Sequence, residues 1–132
     1  EGLPVAPGCI EFLGRVPDAK AFVRACAVIP LIARGGTGVQ LKTIETFELG
    51  LPSVATSSSL RGIGMRPDNC ILADDPKAFA QALTAAARKV RDGDAGLADG
   101  NAFHAAQLHA LDAAVARGLA AMAGGQSKRI AA

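Results

Sequence analysis

The sequence predicts an α/β fold: a Rossmann-like parallel sheet flanked by helices. Three observations lead there. Short apolar, β-rich runs recur at Cys9–Leu13, Ala27–Leu31, Ser53–Ala55 and Cys70–Ala73. Helical patterns fall between the first three and after the last, the alternation that builds a parallel sheet with right-handed crossovers. Between the second and third runs lies Arg34–Thr56, RGGTGVQLKTIETFELGLPSVAT, which reads as glycine loop, helix and strand in one stretch.

The elements follow in order. Glu1–Gly8 carries Pro and Gly and reads as extended chain. Cys9–Leu13 is a first short strand ended by Gly14. Pro17-Asp18 opens a helix that places Ala19, Phe22, Val23 and Cys26 on one face. Ala27–Leu31 is continuously apolar, the pattern of a central strand buried on both sides. A helix from about Gly38 to Leu49 follows, started by the capping-box pair Thr37 and Gln40. Gly50 suits the left-handed residue after its end, and Pro52 stops continuation. Ser53–Ala55 and Cys70–Ala73 are the next strands. Asp74-Asp75-Pro76 caps a helix running to about Arg91, with Phe79, Leu83, Ala86 and Val90 on one side. A receiver-type reading of the Asp pair fails, since the other strand ends offer Pro30 and Thr56 rather than a phospho-acceptor Asp. After the Gly/Asp-rich break 92–100, Asn101 caps a last helix to about Met122. Its apolar stripe is Leu108, Leu111, Val115, Leu119 and Met122. Gly124 onward reads as a frayed tail.

Chemistry is expected at the loop that opens the second helix. Gly35, Gly36 and Gly38 let the backbone bend where a side chain would clash. The amides of Gly36, Thr37 and Gly38 then point, unpaired, into the positive end of a helix, a ready site for phosphate. Lys42, one turn in, and Arg34, at the loop's start, are candidate cations for a diphosphate leaving group. A solvated lysine is the bland alternative for Lys42. Stepped at 100° per residue, Leu41, Ile44, Phe47 and Leu49 form the apolar arc, which leaves Glu45 and Glu48 on the face expected to be buried. A ligand with hydroxyl groups would explain two carboxylates there. After the next strand, Arg61 and Gly62 border the expected ligand crevice, because in open α/β sheets that crevice lies at the carboxyl ends of the strands.

These residues carry a resemblance. Gly36-Thr37-Gly38, Lys42, Glu45 and Gly50–Thr56 resemble the donor-site signature of the group 1 (family 4-like) glycosyltransferases. FLGRVPD at Phe12–Asp18, AVIP at Ala27–Pro30 and ILADDPKAFAQAL at Ile71–Leu83 agree in order. The resemblance spans roughly Ile10–Ala87 and implies the C-terminal, donor-binding half of a GT-B fold. It implies a retaining, metal-independent enzyme that moves a sugar from a nucleotide diphosphate to a hydroxyl acceptor, in cytoplasmic polysaccharide biosynthesis, with peripheral membrane association of the full enzyme allowed. It gives Glu45 the ribose hydroxyls; the residue-level alternative is a surface ion pair with Lys42. Thr37 stands where the family's first glutamate of the pair commonly falls, as in a subset with a Gly-Thr-Gly loop. No cofactor is implied. Two earlier strands and the acceptor-binding half are not in the sequence, so a fragment of a larger enzyme, or a stand-alone remnant, is expected. Such a piece would be inactive alone and inclined to self-associate through an open sheet edge. A nucleotide-sugar 2-epimerase on the same fold, and a non-catalytic α/β interaction domain, are the alternatives.

Composition bounds the rest. The 132 residues suffice for one nucleotide-sugar-binding domain, spanning 1–132 with its C-terminal helix at about 101–122. Net charge is +2, too small to argue for a nucleic-acid partner. There is no Trp or Tyr, against a sugar-binding module built on aromatic platforms. Cys9, Cys26 and Cys70 lack metal spacing and read as reduced core thiols, in keeping with a cytoplasmic setting. His104 and His109, five apart, do not share a face as zinc ligands at i, i+4 would. No apolar run is long enough to span a bilayer, and a chain beginning at Glu1 without Met is expected to be a processed or trimmed product.

Overall fold

The computed structural model describes residues 10–94 and 96–130, with the backbone alone described for 125–130. Cys9 and the extended stretch expected at 1–8 lie outside the described residues. Three strands form a parallel sheet in the order β1 (Ile29–Leu31), β2 (Ser53–Ala55), β3 (Cys70–Leu72). The register pairs Ile29 with Ser53 and Ser53 with Cys70. Helices α1 (Ala19–Arg24), α2 (Leu41–Glu48), α3 (Pro76–Arg91) and α4 (Gly100–Ile130) connect and flank the strands.

Alternation along β2 builds the core on both faces of the sheet. Ala55 joins Leu31, Phe47, Cys70 and Phe103 on the side of α2 and α4. Val54 joins Ala73 and Phe79 on the side of α3. Phe47 and Phe103 meet edge to face, 5.2 Å between centroids at 82°, a geometry worth about 0.5–1.5 kcal/mol beyond burial. Gly50 follows α2 at φ 67°, and a Cβ there would lie 2.2 Å from the Ala98 carbonyl oxygen. Only glycine therefore lets the 96–100 segment pass, which the Ala98 amide fixes by donating to Gly50 at 2.8 Å. Asp75 caps α3, accepting from the Ala78 amide at 2.8 Å, with Pro76 in the first turn.

Several expectations are corrected. Residues 10–13 form no strand and are exposed. Among the described residues the run Ala27–Leu31 gives a strand at the edge of the sheet, not a central one. Ile29 donates to Pro52, 2.9 Å, and Leu31 accepts from Thr56, 3.0 Å, so both turn toward β2. Pro30 then faces outward, where its missing N–H costs no ladder bond. Helix α2 starts at Leu41, not Gly38, and the Thr37–Gln40 capping box does not form; Gln40 is the cap residue, without a side-chain bond. The buried face of α2 is Thr43, Thr46 and Phe47, while Leu41 is 79% exposed. The Thr46 hydroxyl donates to the Lys42 carbonyl at 2.7 Å, so this threonine enters the core already satisfied. Glu45 and Glu48 are consequently exposed. Asp99, not Asn101, bonds the first turn of α4, at the Ala102 amide, 3.0 Å. That helix runs to Ile130, through the expected frayed tail. Its stripe from Leu108 to Met122 is exposed.

Candidate functional site

All three strands end on one side, and hydrogen bonds lace their ends together. Ser59 donates its hydroxyl proton to the Leu31 carbonyl at the end of β1, 2.7 Å. The Thr56 hydroxyl lies 2.9 Å from that of Ser59 and 3.3 Å from the Ala33 carbonyl, and its single proton serves one of the two. The Thr56 oxygen in turn accepts from the Ala33 amide at 3.3 Å. Asp74, just past β3, accepts from the Ser57 amide at 2.8 Å and from the Ser57 hydroxyl. The Ser57 hydroxyl, then the Ser57 amide, hold the Asp74 carboxyl below its ordinary value. The loops after β1 and β2 thus start from fixed points.

From β1 the chain runs into the glycine loop. Gly36 sits at φ 97°, open to a glycine and strained for any L side chain. Beyond it Gly38 and Val39 lead to α2, whose first turn no side chain closes. Uncapped amides at the positive end of a helix favour an anion. Lys42, on the first turn, reaches back to donate to the Ile32 carbonyl at 3.1 Å. This covers an outward-facing edge carbonyl and holds the ammonium at the carboxyl end of β1. Gly62, at φ 74°, packs so close to Val39 that a Cβ would lie 2.6 Å from its Cγ2. The loop after β2 and the entry to α2 are in contact there.

The structure sets Gly62 against Val39 at the end of the glycine loop and Lys42 against Ile32, two residues before Arg34. Arg34 lines an open pocket of about 340 Å³ with Ile32, Ala33, Thr56, Ser58, Asp74, Pro76 and Phe79. Thr37, Gly38 and Arg61 are exposed loop residues. Glu45 lies farther along α2 on its exposed side; Lys42 bonds Ile32 and forms no ion pair with it. Glu48 belongs elsewhere: its carboxylate meets His104 Nδ1 at 2.8 Å and joins α2 to α4. A second pocket, about 370 Å³, lies around Pro52, Asn69, Ile71 and Leu97 at the amino ends of β2 and β3. It is the opposite end from the one where open α/β sheets bind ligands.

Sequence reasoning missed Thr56, Ser57 and Ser59 and gave Asp74 only a capping role. The signal was the run Thr56-Ser57-Ser58-Ser59 directly after an apolar strand. Hydroxyls at a strand end bond the backbone of neighbouring strands and loops and fix the chain there. Cys70 is buried, and its burial pushes the thiol up despite the Ser53 hydroxyl and the Arg66 charge; Cys26 is half-buried and also free. Among the described residues no cluster of His, Cys, Asp and Glu suits a metal ion. No helix among them is long and apolar enough to cross a membrane.

Comparison with protein families matches residues 2–89 to the family described as glycosyl transferases group 1. Searches of curated proteins and of solved structures returned no match.

Proposed function

The chain belongs to the group 1 glycosyltransferases, and from that membership we propose that it is the nucleotide-diphosphate-sugar binding portion of a retaining enzyme that glycosylates a hydroxyl acceptor. The observation that carries the reading is the glycine loop entering an uncapped helix at the carboxyl end of β1, with Lys42 held at the same place. The amides of Gly36, Thr37 and Gly38 and the first turn of α2 take the diphosphate. Lys42 and Arg34 stabilise the charge that grows on it as the glycosidic bond breaks. Glu45 accepts hydrogen bonds from the ribose hydroxyls, and its exposure leaves both oxygens available. Arg61 and Gly62 line the far wall.

Retention without a protein nucleophile assigns the acceptor's proton to the donor's own phosphate oxygen. The chain then contributes placement and charge stabilisation. The acceptor belongs to a partner half in a GT-B arrangement, so this chain binds donor weakly and does not turn over alone.

The test is titration calorimetry of the chain with uridine, guanosine and adenosine diphosphates. Weak binding of at least one is expected, abolished by Glu45→Ala and weakened by Lys42→Ala and by salt. Both side chains are exposed, so both variants are expected to keep the far-UV spectrum of the parent. Binding undiminished in Glu45→Ala, or no heat with any of the three, contradicts the reading. The second of these results favours a non-catalytic interaction domain.

A further inference from the structure

The glycine loop has little packing of its own. A Cβ built on Gly35, Gly36 or Gly38 meets no atom within 4 Å, so no neighbouring group walls the loop in at its glycines. Its course is set from its ends. At the exit, Val39 packs against Gly62. At the entry, three consecutive residues are each held by a side chain from another part of the fold. The Leu31 carbonyl accepts from the Ser59 hydroxyl at 2.7 Å, in addition to the Thr56 amide at 3.0 Å. The Ile32 carbonyl accepts from Lys42 at 3.1 Å. The Ala33 amide donates to the Thr56 hydroxyl oxygen at 3.3 Å, and the Ala33 carbonyl lies 3.3 Å from the same oxygen. Arg34 and the glycines come next.

Thr56 holds Ala33 in place of a local task. It stands at the cap position of a short 3-10 helix, Ser57–Leu60. A threonine hydroxyl there ordinarily accepts from an amide of the first turn, and this one makes no such bond. The Ser57 amide is taken instead by the Asp74 carboxylate at 2.8 Å. With that amide served from the end of β3, the Thr56 hydroxyl is turned to the strand end that feeds the loop, with Ser59 beside it at 2.9 Å. Ser59 is fully buried and Thr56 half-buried, so little water competes for these bonds.

We propose that Thr56, backed by Ser59, is the positioning residue of the diphosphate site. It fixes Ala33, and through Ala33 the direction in which the amides of Gly36, Thr37 and Gly38 leave the sheet. The inference rests on the donor-site reading for the identity of the ligand. A loop whose course is fixed before the ligand arrives loses less freedom on binding, so this hydroxyl raises affinity by way of the backbone.

The test compares Thr56→Val, which keeps the branched shape and removes the hydroxyl, with Thr56→Ser, which keeps the hydroxyl. Backbone relaxation of the labelled 132-residue chain without ligand is expected to show Gly35, Gly36, Thr37 and Gly38 more mobile in Thr56→Val than in wild type, and restored in Thr56→Ser. Titration with uridine, guanosine and adenosine diphosphates is expected to show affinity about three- to tenfold lower in Thr56→Val, the worth of one hydrogen bond, and near wild type in Thr56→Ser. Ala86→Gly, in α3 and lining the pocket at the other end of the sheet, is expected to lower the urea midpoint while leaving loop mobility and affinity unchanged. A general weakening of the fold would move all three. If Thr56→Val does not fold, Ser59→Ala is read in the same way. Loop amides as rigid in Thr56→Val as in wild type overturn the proposal, as does affinity that is unchanged there or lost equally in Thr56→Ser or Ala86→Gly. A wild-type chain that binds none of the three diphosphates contradicts the donor-site reading instead, and the relaxation data alone then decide whether Thr56 sets the loop.

Discussion

Asp74 takes two hydrogen bonds from Ser57, and both stabilise its charged form. A carboxyl held below its ordinary value contributes stability that is present above that value, 3.8, and is lost as pH falls through the folded-state value. Asp74→Asn removes this contribution. Its urea midpoint is expected below that of wild type at neutral pH, with the gap closing once the pH drops well under 3.8. A gap that persists in acid would assign the difference to packing rather than charge. Other residues were legible from local chemistry alone. Asp75 and Pro76 announce a helix start, and Gly50 announces a helix end. Asp74 was not, because its partner is 17 residues away and only the fold brings Ser57 to it. The two glutamates of α2 misled for a related reason. Counting threonine as polar turns the apolar arc toward Leu41, whereas Thr43 and Thr46 are the buried side chains.

At the scale of elements, α4 depends on what happens in its first turn. Phe103 is buried to 1% exposure against Phe47. Phe103→Ala is expected to destabilise the chain by about 3–5 kcal/mol in chemical denaturation, the usual cost of emptying an aromatic site. Leu111→Ser, on the exposed stripe, is expected to cost the monomer less than about 0.5 kcal/mol. Similar losses for the two would place the stripe inside the folded monomer. Gly100 is the other contact point: a Cβ there would lie 1.9 Å from the Glu48 carbonyl oxygen, backbone that cannot give way cheaply. Gly100→Ala is therefore expected to lower the melting temperature, and an unchanged melting temperature would show that the two helices separate readily. Periodicity revealed that one face of α4 is apolar. It could not reveal what covers that face, since 3.6-residue spacing is the same for a core helix and an interface helix. The edge position of β1 was equally hidden, although Pro30 was its clue: a proline rarely sits mid-ladder in a central strand.

For the molecule as a whole, the parallel order of three strands delivers Arg34, the glycine loop, Lys42, Thr56 and Asp74 to one end of the sheet. The glycine loop and the strand that follows α2 were readable because backbone geometry writes them into glycine, proline and β-branched residues. The lacing of hydroxyls that fixes the loops was not, because all but the Thr56–Ser59 contact join residues distant in sequence. What the arrangement is for can be checked residue by residue. Amide spectra of the isotopically labelled chain, recorded while a nucleoside diphosphate is added to millimolar concentration, are expected to shift at Gly36, Thr37, Gly38, Leu41 and Lys42. Inorganic pyrophosphate is expected to move the same loop amides while sparing Glu45. Shifts gathered instead around Asn69 and Leu97, or loop amides unmoved while other signals respond, would contradict a diphosphate site at the start of α2.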